Sequence, residues 1–259
     1  MTGHLPLGRL YLVPNTLDFG VSTDAPPADL QNVLPLQVIQ IAARLTHWVA
    51  ENAKTTRAFL KRVDAVVALS QNLQTLNIVE LPRPQKGSKA AVNLPLDTLL
   101  APALQGSDIG LISEAGLPAV ADPGSALVEA AHRLGVTVIP LSGPSSLLMA
   151  LSASGLNGQS FAFVGYLPID AAQRNMKLRD LEALSRRHQQ TQLMIETPYR
   201  NQSLLAALLA SLSASCRLSV SCGLTLDGGW TRSDSVATWR QGAVMLRNDV
   251  PAVFGLLGV

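Results

Sequence analysis

The sequence predicts an α/β protein, on three observations. Apolar runs rich in β-type residues alternate with helix-length amphipathic segments through most of the chain, as in parallel sheets built from βαβ units. Two of those runs empty directly into loops of small residues followed by helix starts, GLISEAGLPAVADPG at 110–124 and VIPLSGPSS at 138–146. The C-terminal part then turns strand-rich, which suits a mixed sheet with antiparallel members.

In the first half the pattern places strands at Leu10–Val13, His47–Ala50, Asn77–Leu81, Ile109–Ser113 and Val136–Pro140. Helices at Leu36–Arg44, Thr55–Val63, Leu96–Leu104 and Ser125–Leu134 fit between them. The segment Pro144–Ser154 reads as a short apolar helix, with Pro144 in its first turn and Gly155 at its end. A boundary near Gly155–Gln159 gives an N-terminal lobe of residues 1–154 and a C-terminal lobe of 155–259. The second part predicts a strand at Phe161–Gly165, a long helix at Ala171–Arg187, a strand at Gln192–Glu196, a helix at Gln202–Leu212 and a strand at Arg217–Cys222. Further strands are expected at Ser235–Arg240 and Ala252–Leu257. Phe19–Ala28, with its prolines and glycine, reads as a long loop.

With 259 residues, 47% hydrophobic and 15% charged, the chain has ample material for a buried core, and disorder is excluded. No apolar run approaches the ~20 residues needed to cross a bilayer, and the first residues lack a signal-type pattern, so a cytoplasmic protein without a membrane role is expected. Cys216 and Cys222 have no Cys or His at ligand spacing, which points to structural reduced thiols and to no metal. A formal charge of +2 does not by itself announce a nucleic-acid protein. The basic helix-like segment Arg174–His188 reads first as a solvated face and second as a phosphate-contacting surface. His132 and His188 sit among polar neighbours and read as surface residues.

The chemistry concentrates at the two strand-to-loop junctions, because ligands of open α/β sheets bind beyond the carboxyl ends of the strands. Gly116 permits close backbone approach, Ala115 leaves space, and Glu114 offers a carboxylate to hydroxyls or an amine. Asp122 and Pro123 have the look of an N-cap and first-turn pair for the next helix. At the second junction Ser145 and Ser146 open a helix and read mainly as caps, while Leu147, Leu148 and Leu151 have the spacing of a buried face.

Four stretches in order, SEAGLPAVADPG, LSGPSSLLMALSASGL, FAFVGYLP and MIETPYR, resemble those of the tetrapyrrole methylase superfamily. Within it they resemble the branch that methylates a ribose hydroxyl in small-subunit ribosomal RNA, most securely over residues 108–200. The resemblance implies two α/β lobes, a homodimer, and S-adenosylmethionine held in a cleft between the lobes. By position it implies cofactor contacts from Glu114, Ala115, Gly116, Leu117, Ser145 and Ser146, with Glu196 and Thr197 from the second lobe and Val13 and Pro14 closing the tip of the first strand. Ribosomal RNA or the small ribosomal subunit is the implied partner. Arg57, Lys61 and Arg62, on the helix after AENAKTT, are candidates for phosphate contact, beside the reading in which they solvate that helix.

The departures cluster where a target should bind. The branch carries an Ala-Glu-Asp-Thr-Arg motif where this chain has AENAKTTR, with Asn52 in place of the acid, and Glu114 stands for the usual Asp. The loop after the first strand and the C-terminal stretch CGLTLDGGWTRSDSVATWRQG also differ, which suggests a sister group. Methyl transfer from a sulfonium requires positioning more than a nucleophile. For a hydroxyl acceptor, the candidate bases are Glu51, Lys54 and Glu114. An RNA methyltransferase is thus the first expectation, with a small-molecule methyltransferase and a non-catalytic S-adenosylmethionine-binding module as alternatives.

Overall fold

Alternation of buried side chains along short strands organises two compact units, which divide at Pro144 and Ser145. The computed structural model describes residues 6–18, 29–82, 96–242 and 244–259, so the loop expected at Phe19–Ala28 lies outside the described residues.

The first unit contains β1 (Arg9–Leu12), α1 (Leu36–Arg44), β2 (His47–Ala50), α2 (Ala53–Asp64), β3 (Asn77–Glu80), α3 (Leu96–Leu99), α4 (Ala101–Leu104), β4 (Ile109–Ile112), α5 (Ser125–Arg133) and β5 (Thr137–Pro140). Its five strands form one sheet in the order β3-β2-β4-β1-β5, and every neighbouring pair is parallel. The period of two sends successive residues to opposite layers. Tyr11, Trp48, Ala50 and Ile112 pack with α1 and α2 through Ile39, Phe59 and Leu60. Leu10, Val49, Ile109 and Leu111 pack with α4 and α5 through Leu100, Leu127 and Ala131. Gly110 is required inside β4, since a β-carbon there would lie 2.7 Å from the Trp48 ring. The single helix expected at Leu96–Leu104 is two short ones meeting at Leu100, with Pro102 in the first turn of α4.

The second unit contains α6 (Ser146–Ser154), β6 (Phe161–Phe163), α7 (Ala171–His188), β7 (Thr191–Glu196), α8 (Asn201–Ser211), β8 (Arg217–Cys222), β9 (Trp230–Ser235), α9 (Val236–Trp239) and β10 (Ala252–Leu257). Its mixed sheet runs β6-β7-β10-β8-β9, with only β6 and β7 parallel among the paired strands. One face carries α7, α8 and α9 on a core of Leu178, Leu181, Leu208, Trp239, Met194 and Phe254. The other face is covered by α6, whose Leu147, Ala150 and Leu151 pack on Leu193 and Val253.

Two sequence expectations are corrected here. The unit boundary falls at Pro144/Ser145 rather than near residue 155, because the apolar face of α6 is buried on the second sheet. The strand expected at Ser235–Arg240 is the end of β9 followed by α9. There the Ser235 hydroxyl accepts from the Thr238 N–H at 3.1 Å and the Trp239 indole donates to the Leu218 carbonyl at 2.8 Å, so the alternating V-A-T-W pattern is a capped helical turn. Both cysteines are buried and unbridged, and burial pushes the Cys216 thiol up to about 12, as suits an inert structural residue. Among the described residues no helix is long and apolar enough to cross a membrane.

Candidate functional site

In the first sheet β1 and β4 are neighbours, yet the chain leaves them toward opposite layers, to α1 after β1 and to α5 after β4. Strands whose outgoing connections diverge leave a crevice beyond their carboxyl ends, the place where open α/β sheets receive ligands. Both small-residue loops of the sequence lie at this edge, one after β4 and one after β5, on either side of the tip of β1.

The tip of β1 knits the site together. The Val13 N–H donates to the Leu111 carbonyl at 2.8 Å, and Val13 is fully buried. Asn15 exchanges both backbone hydrogen bonds with Gly116, at 2.9 and 3.1 Å. Its side-chain amide donates to the carbonyls of Ser113, at 3.2 Å, and Glu114, at 3.0 Å, while its Oδ1 accepts from the Thr16 N–H. Asn15 is 1% exposed, so these bonds are shielded from water. Gly116 adopts φ +67°, where a β-carbon would be strained, and that carbon would sit 3.5 Å from the Pro144 carbonyl. The second loop therefore reaches the first. It is held by the Leu141 N–H on the Leu12 carbonyl, and by Gly143, where a β-carbon would overlap the Pro14 ring. The short segments Val13–Pro14, Glu114–Gly116 and Leu141–Pro144 thus converge at the tip of β1.

Three carboxylates gather at the same edge. Glu51, at the end of β2, accepts from the backbone N–H of Glu114 at 3.0 Å. Asp122 is held up to about 6 by burial first and by the charges of Glu51 and Glu114, with the Ser113 hydroxyl pulling the other way. This corrects the expectation that Asp122 caps α5. The cap position is Gly124 at φ +130°, which makes no side-chain capping bond, and Asp122 turns toward the strand ends instead. Ala119 and Ala121 also have positive φ, 65° and 63°, so the loop from β4 to α5 is held in a shape that costs about 1 kcal/mol or more at each alanine. Ala115 and Leu117 are half-buried along it.

The AENAKTTR segment becomes legible as a cap. Asn52 accepts from the Lys54 N–H at 2.9 Å and from the Thr55 N–H at 3.4 Å, and α2 consequently starts at Ala53, two residues before the predicted start. An Asp and an Asn are equivalent in that role, so the replacement of the acid preserves the local structure. Lys54, Arg57 and Lys61 are exposed, with one Arg57 nitrogen on the Ala53 carbonyl. Arg62 differs from its neighbours. Its guanidinium meets both carboxylate oxygens of Asp18 and the Thr16 hydroxyl, fastening α2 to the segment after the β1 tip.

The remaining sequence candidates belong to the second unit. Ser145 caps α6 by accepting from the Leu148 N–H at 3.5 Å, and Ser146 is its first helical residue, while Leu148 is 52% exposed and does not belong to the buried face. Glu196, at the end of β7, has a side chain only 2% exposed. Its oxygens take the Thr197 N–H at 2.8 Å, the Thr197 hydroxyl, and an Arg200 nitrogen at 2.8 Å, so within this unit it ties down the turn after β7. His132 and His188 lie in the last turns of α5 and α7. Sequence reasoning passed over Asn15 and misassigned Asp122. Asn15 offers no local signal beyond a polar residue after a strand tip, and its role depends on a strand about a hundred positions away, while Asp122 depends on Ser113 and Glu114 in its own loop and on Glu51 from β2.

No family model matches the chain. Curated relatives do: it is 38% identical over 127 residues to the ribosomal RNA small subunit methyltransferase I of Mesorhizobium japonicum, covering 49% of this chain and 42% of that protein. It is 43% identical over 97 residues to the protein of that name from Vibrio cholerae, 38% of this chain and 32% of the relative, and 30% identical over 203 residues to that of Streptococcus pyogenes, 78% and 60% respectively. The chain thus spans less than two thirds of the length of the curated relatives it matches. Among solved structures, a uroporphyrin-III-C-methyltransferase from Thermus thermophilus shares the fold, with a TM-score of 0.50 and 18% identity over 96% of this chain and 94% of that one.

Proposed function

We propose, from the resemblance of its motifs to the tetrapyrrole methylase superfamily, from its similarity to relatives named ribosomal RNA small subunit methyltransferase I and from the crevice between β1 and β4, that this chain is an S-adenosylmethionine-dependent methyltransferase acting on a ribose 2'-hydroxyl of small-subunit ribosomal RNA. The observation that carries the reading is the Ser113–Gly116 loop, shaped by Asn15 and bordered by Glu51, Glu114 and Asp122. The residues present fit the methyl donor. Carboxylates accept from ribose hydroxyls and an ammonium and complement a sulfonium charge. Bound there, the sulfonium supplies a methyl group already activated for in-line displacement.

What the chain itself contributes is order. Asn15 and Glu51 fix the loop backbone before any ligand arrives, which lowers the entropic cost of binding. Glu51 is occupied by the Glu114 amide and is better described as a positioning residue than as the base. Asp122, held near 6, is the carboxylate best matched to receiving a proton close to neutral pH. A homodimer, a cytoplasmic setting and the small ribosomal subunit as partner belong to the same reading, by family resemblance. A small-molecule acceptor is the second reading, favoured by the altered AENAKTTR segment and the near-neutral charge.

Calorimetric titration of the chain with S-adenosylmethionine, followed by labelled-methyl transfer to small ribosomal subunits from a deletion strain, tests the proposal. Saturable donor binding and label confined to one ribose are expected. No donor binding refutes the cofactor, and label appearing only in the small-molecule fraction of an extract refutes the RNA acceptor.

A further inference from the structure

Thr16 and Asp18 lie just beyond the tip of β1, and both meet one guanidinium from α2. Arg62 donates from Nη1 to the Thr16 hydroxyl at 3.2 Å and to Asp18 Oδ1 at 3.4 Å, and from Nη2 to Asp18 Oδ2 at 3.2 Å. The side chains of the ion pair are 22% and 15% exposed and Thr16 is 1% exposed, so water screens the contact little. Leu17, between the two, goes the other way: its Cδ2 lies 3.4 Å from where a β-carbon on Gly116 would stand. This alternation is the period of two of an extended segment, which sends residues 16 and 18 to α2 and residue 17 to the loop after β4.

The same segment orients Asn15. The Thr16 N–H donates to Asn15 Oδ1 at 2.9 Å, which leaves the Asn15 amide nitrogen to face the carbonyls of Ser113 and Glu114. A closed circuit of contacts results. Glu51 accepts from the Glu114 N–H, the loop is joined through Asn15 to Thr16 and Asp18, and Arg62 leads back to α2, whose cap Asn52 directly follows Glu51. A planar guanidinium spans both carboxylate oxygens and the hydroxyl at once, which the single ammonium of a lysine does not. The other ionised side chains of α2 are placed differently: Lys54, Arg57 and Lys61 are exposed, and Asp64 accepts from the Leu69 N–H at 2.9 Å.

We propose that Arg62 is a positioning residue for the methyl-donor loop: through Thr16 and Asp18 it holds Asn15 and Leu17 against Ser113–Gly116. This role rests on the donor reading above and deepens it. It also reassigns Arg62 from the phosphate contacts expected on α2 to the support of the donor site.

The test combines donor calorimetry with amide hydrogen exchange on the unliganded chain. Arg62→Ala and Asp18→Ala should each raise the donor Kd by roughly 5- to 20-fold, since a loosened loop must be ordered on binding. The double variant should be no worse than the weaker-binding single one, because both remove the same contact. Arg62→Lys should fall between Arg62→Ala and wild type. In Arg62→Ala the Gly116 and Thr16 amides, bonded to the Asn15 carbonyl and Oδ1, should exchange about tenfold faster or more, while the Val13 amide, bonded to Leu111, keeps its protection. Val63→Ala, on the fully buried face of α2, controls for general loss of stability: it should lower Tm with the donor Kd within about twofold of wild type. Wild-type donor affinity and unchanged Gly116 exchange in Arg62→Ala overturn the role, as do additive losses in the double variant or a Val63→Ala loss as large as that of Arg62→Ala. Wild-type donor affinity in Arg62→Ala together with a salt slope of RNA binding reduced by about 1 returns Arg62 to phosphate contact and likewise overturns it. A wild-type chain that binds no donor removes the proposed function and this role together, whereas wild type and variants that bind donor equally well remove the role alone.

Discussion

Replacing Asn15 by Ala tests whether one buried amide sets the shape of the ligand loop. The substitution deletes two hydrogen bonds, at 3.2 and 3.0 Å, to the Ser113 and Glu114 carbonyls and the bond that Oδ1 receives from Thr16. Each is worth about 1 kcal/mol net, and carbonyls left unpaired at a site 1% exposed add to the loss, so ~3 kcal/mol is expected. For a chain of this size that lowers Tm by roughly 6–12 °C. The backbone exchange between Asn15 and Gly116 survives, so the fold is retained and the loop is loosened. If the loop must then be ordered at a cost of about 1.4 kcal/mol, the Kd for the methyl donor rises about tenfold. Asn15→Asp keeps the acceptor for Thr16 but turns an anion toward two carbonyl oxygens, and it should be at least as damaging as Ala. Thermal melts and calorimetric titration on the same preparations measure both effects. A protein that loses stability yet binds the donor with wild-type affinity refutes the claim that Asn15 preorganises the site.

Asp122→Asn separates a stability effect from a functional one. A carboxyl held up to about 6 in the fold, from an ordinary value near 3.8, favours its neutral form there. Its stabilising contribution is present below the ordinary value and is lost as pH rises through 6, because the native state binds the extra proton across that window. Asn mimics the neutral form, so thermal melts should show the variant matching wild type near pH 4 and exceeding it at pH 8, while methyl transfer falls; equal Tm differences at both pH values contradict this. Gly143→Ala forces a β-carbon into the Pro14 ring and should cost about 1–3 kcal/mol by urea denaturation together with weakened donor binding, whereas unchanged binding would separate this turn from the site. Glu196→Gln leaves Arg200 without its anion in a mostly buried pair; because Arg200 is 21% exposed, the loss should be about 2 kcal/mol, and a neutral result would mean water already screens it.

The sequence was informative wherever the cause of structure is local. Strands β2, β8 and β10, the helix α1, the left-handed glycine that ends α6 and the two small-residue loops follow from side-chain period and backbone freedom within about ten residues. Tertiary structure alone decided what depends on neighbours far along the chain. Asn15 meets Ser113 and Glu114 only because β1 lies beside β4, and Glu51 reaches the Glu114 amide only because β2 lies on the other side. Asp122 looked like a cap because D-P-G before a helix is a capping pattern; it is instead a half-buried acid whose protonated form is favoured by desolvation and by the charges of Glu51 and Glu114. The apolar residues of α6 announced a buried face, but which sheet they cover was settled by Leu193 and Val253, some 45 and 105 residues downstream. Hydrogen bonding to the chain's own near neighbours is written in the sequence, while desolvation and charge proximity arise only once distant segments share a surface.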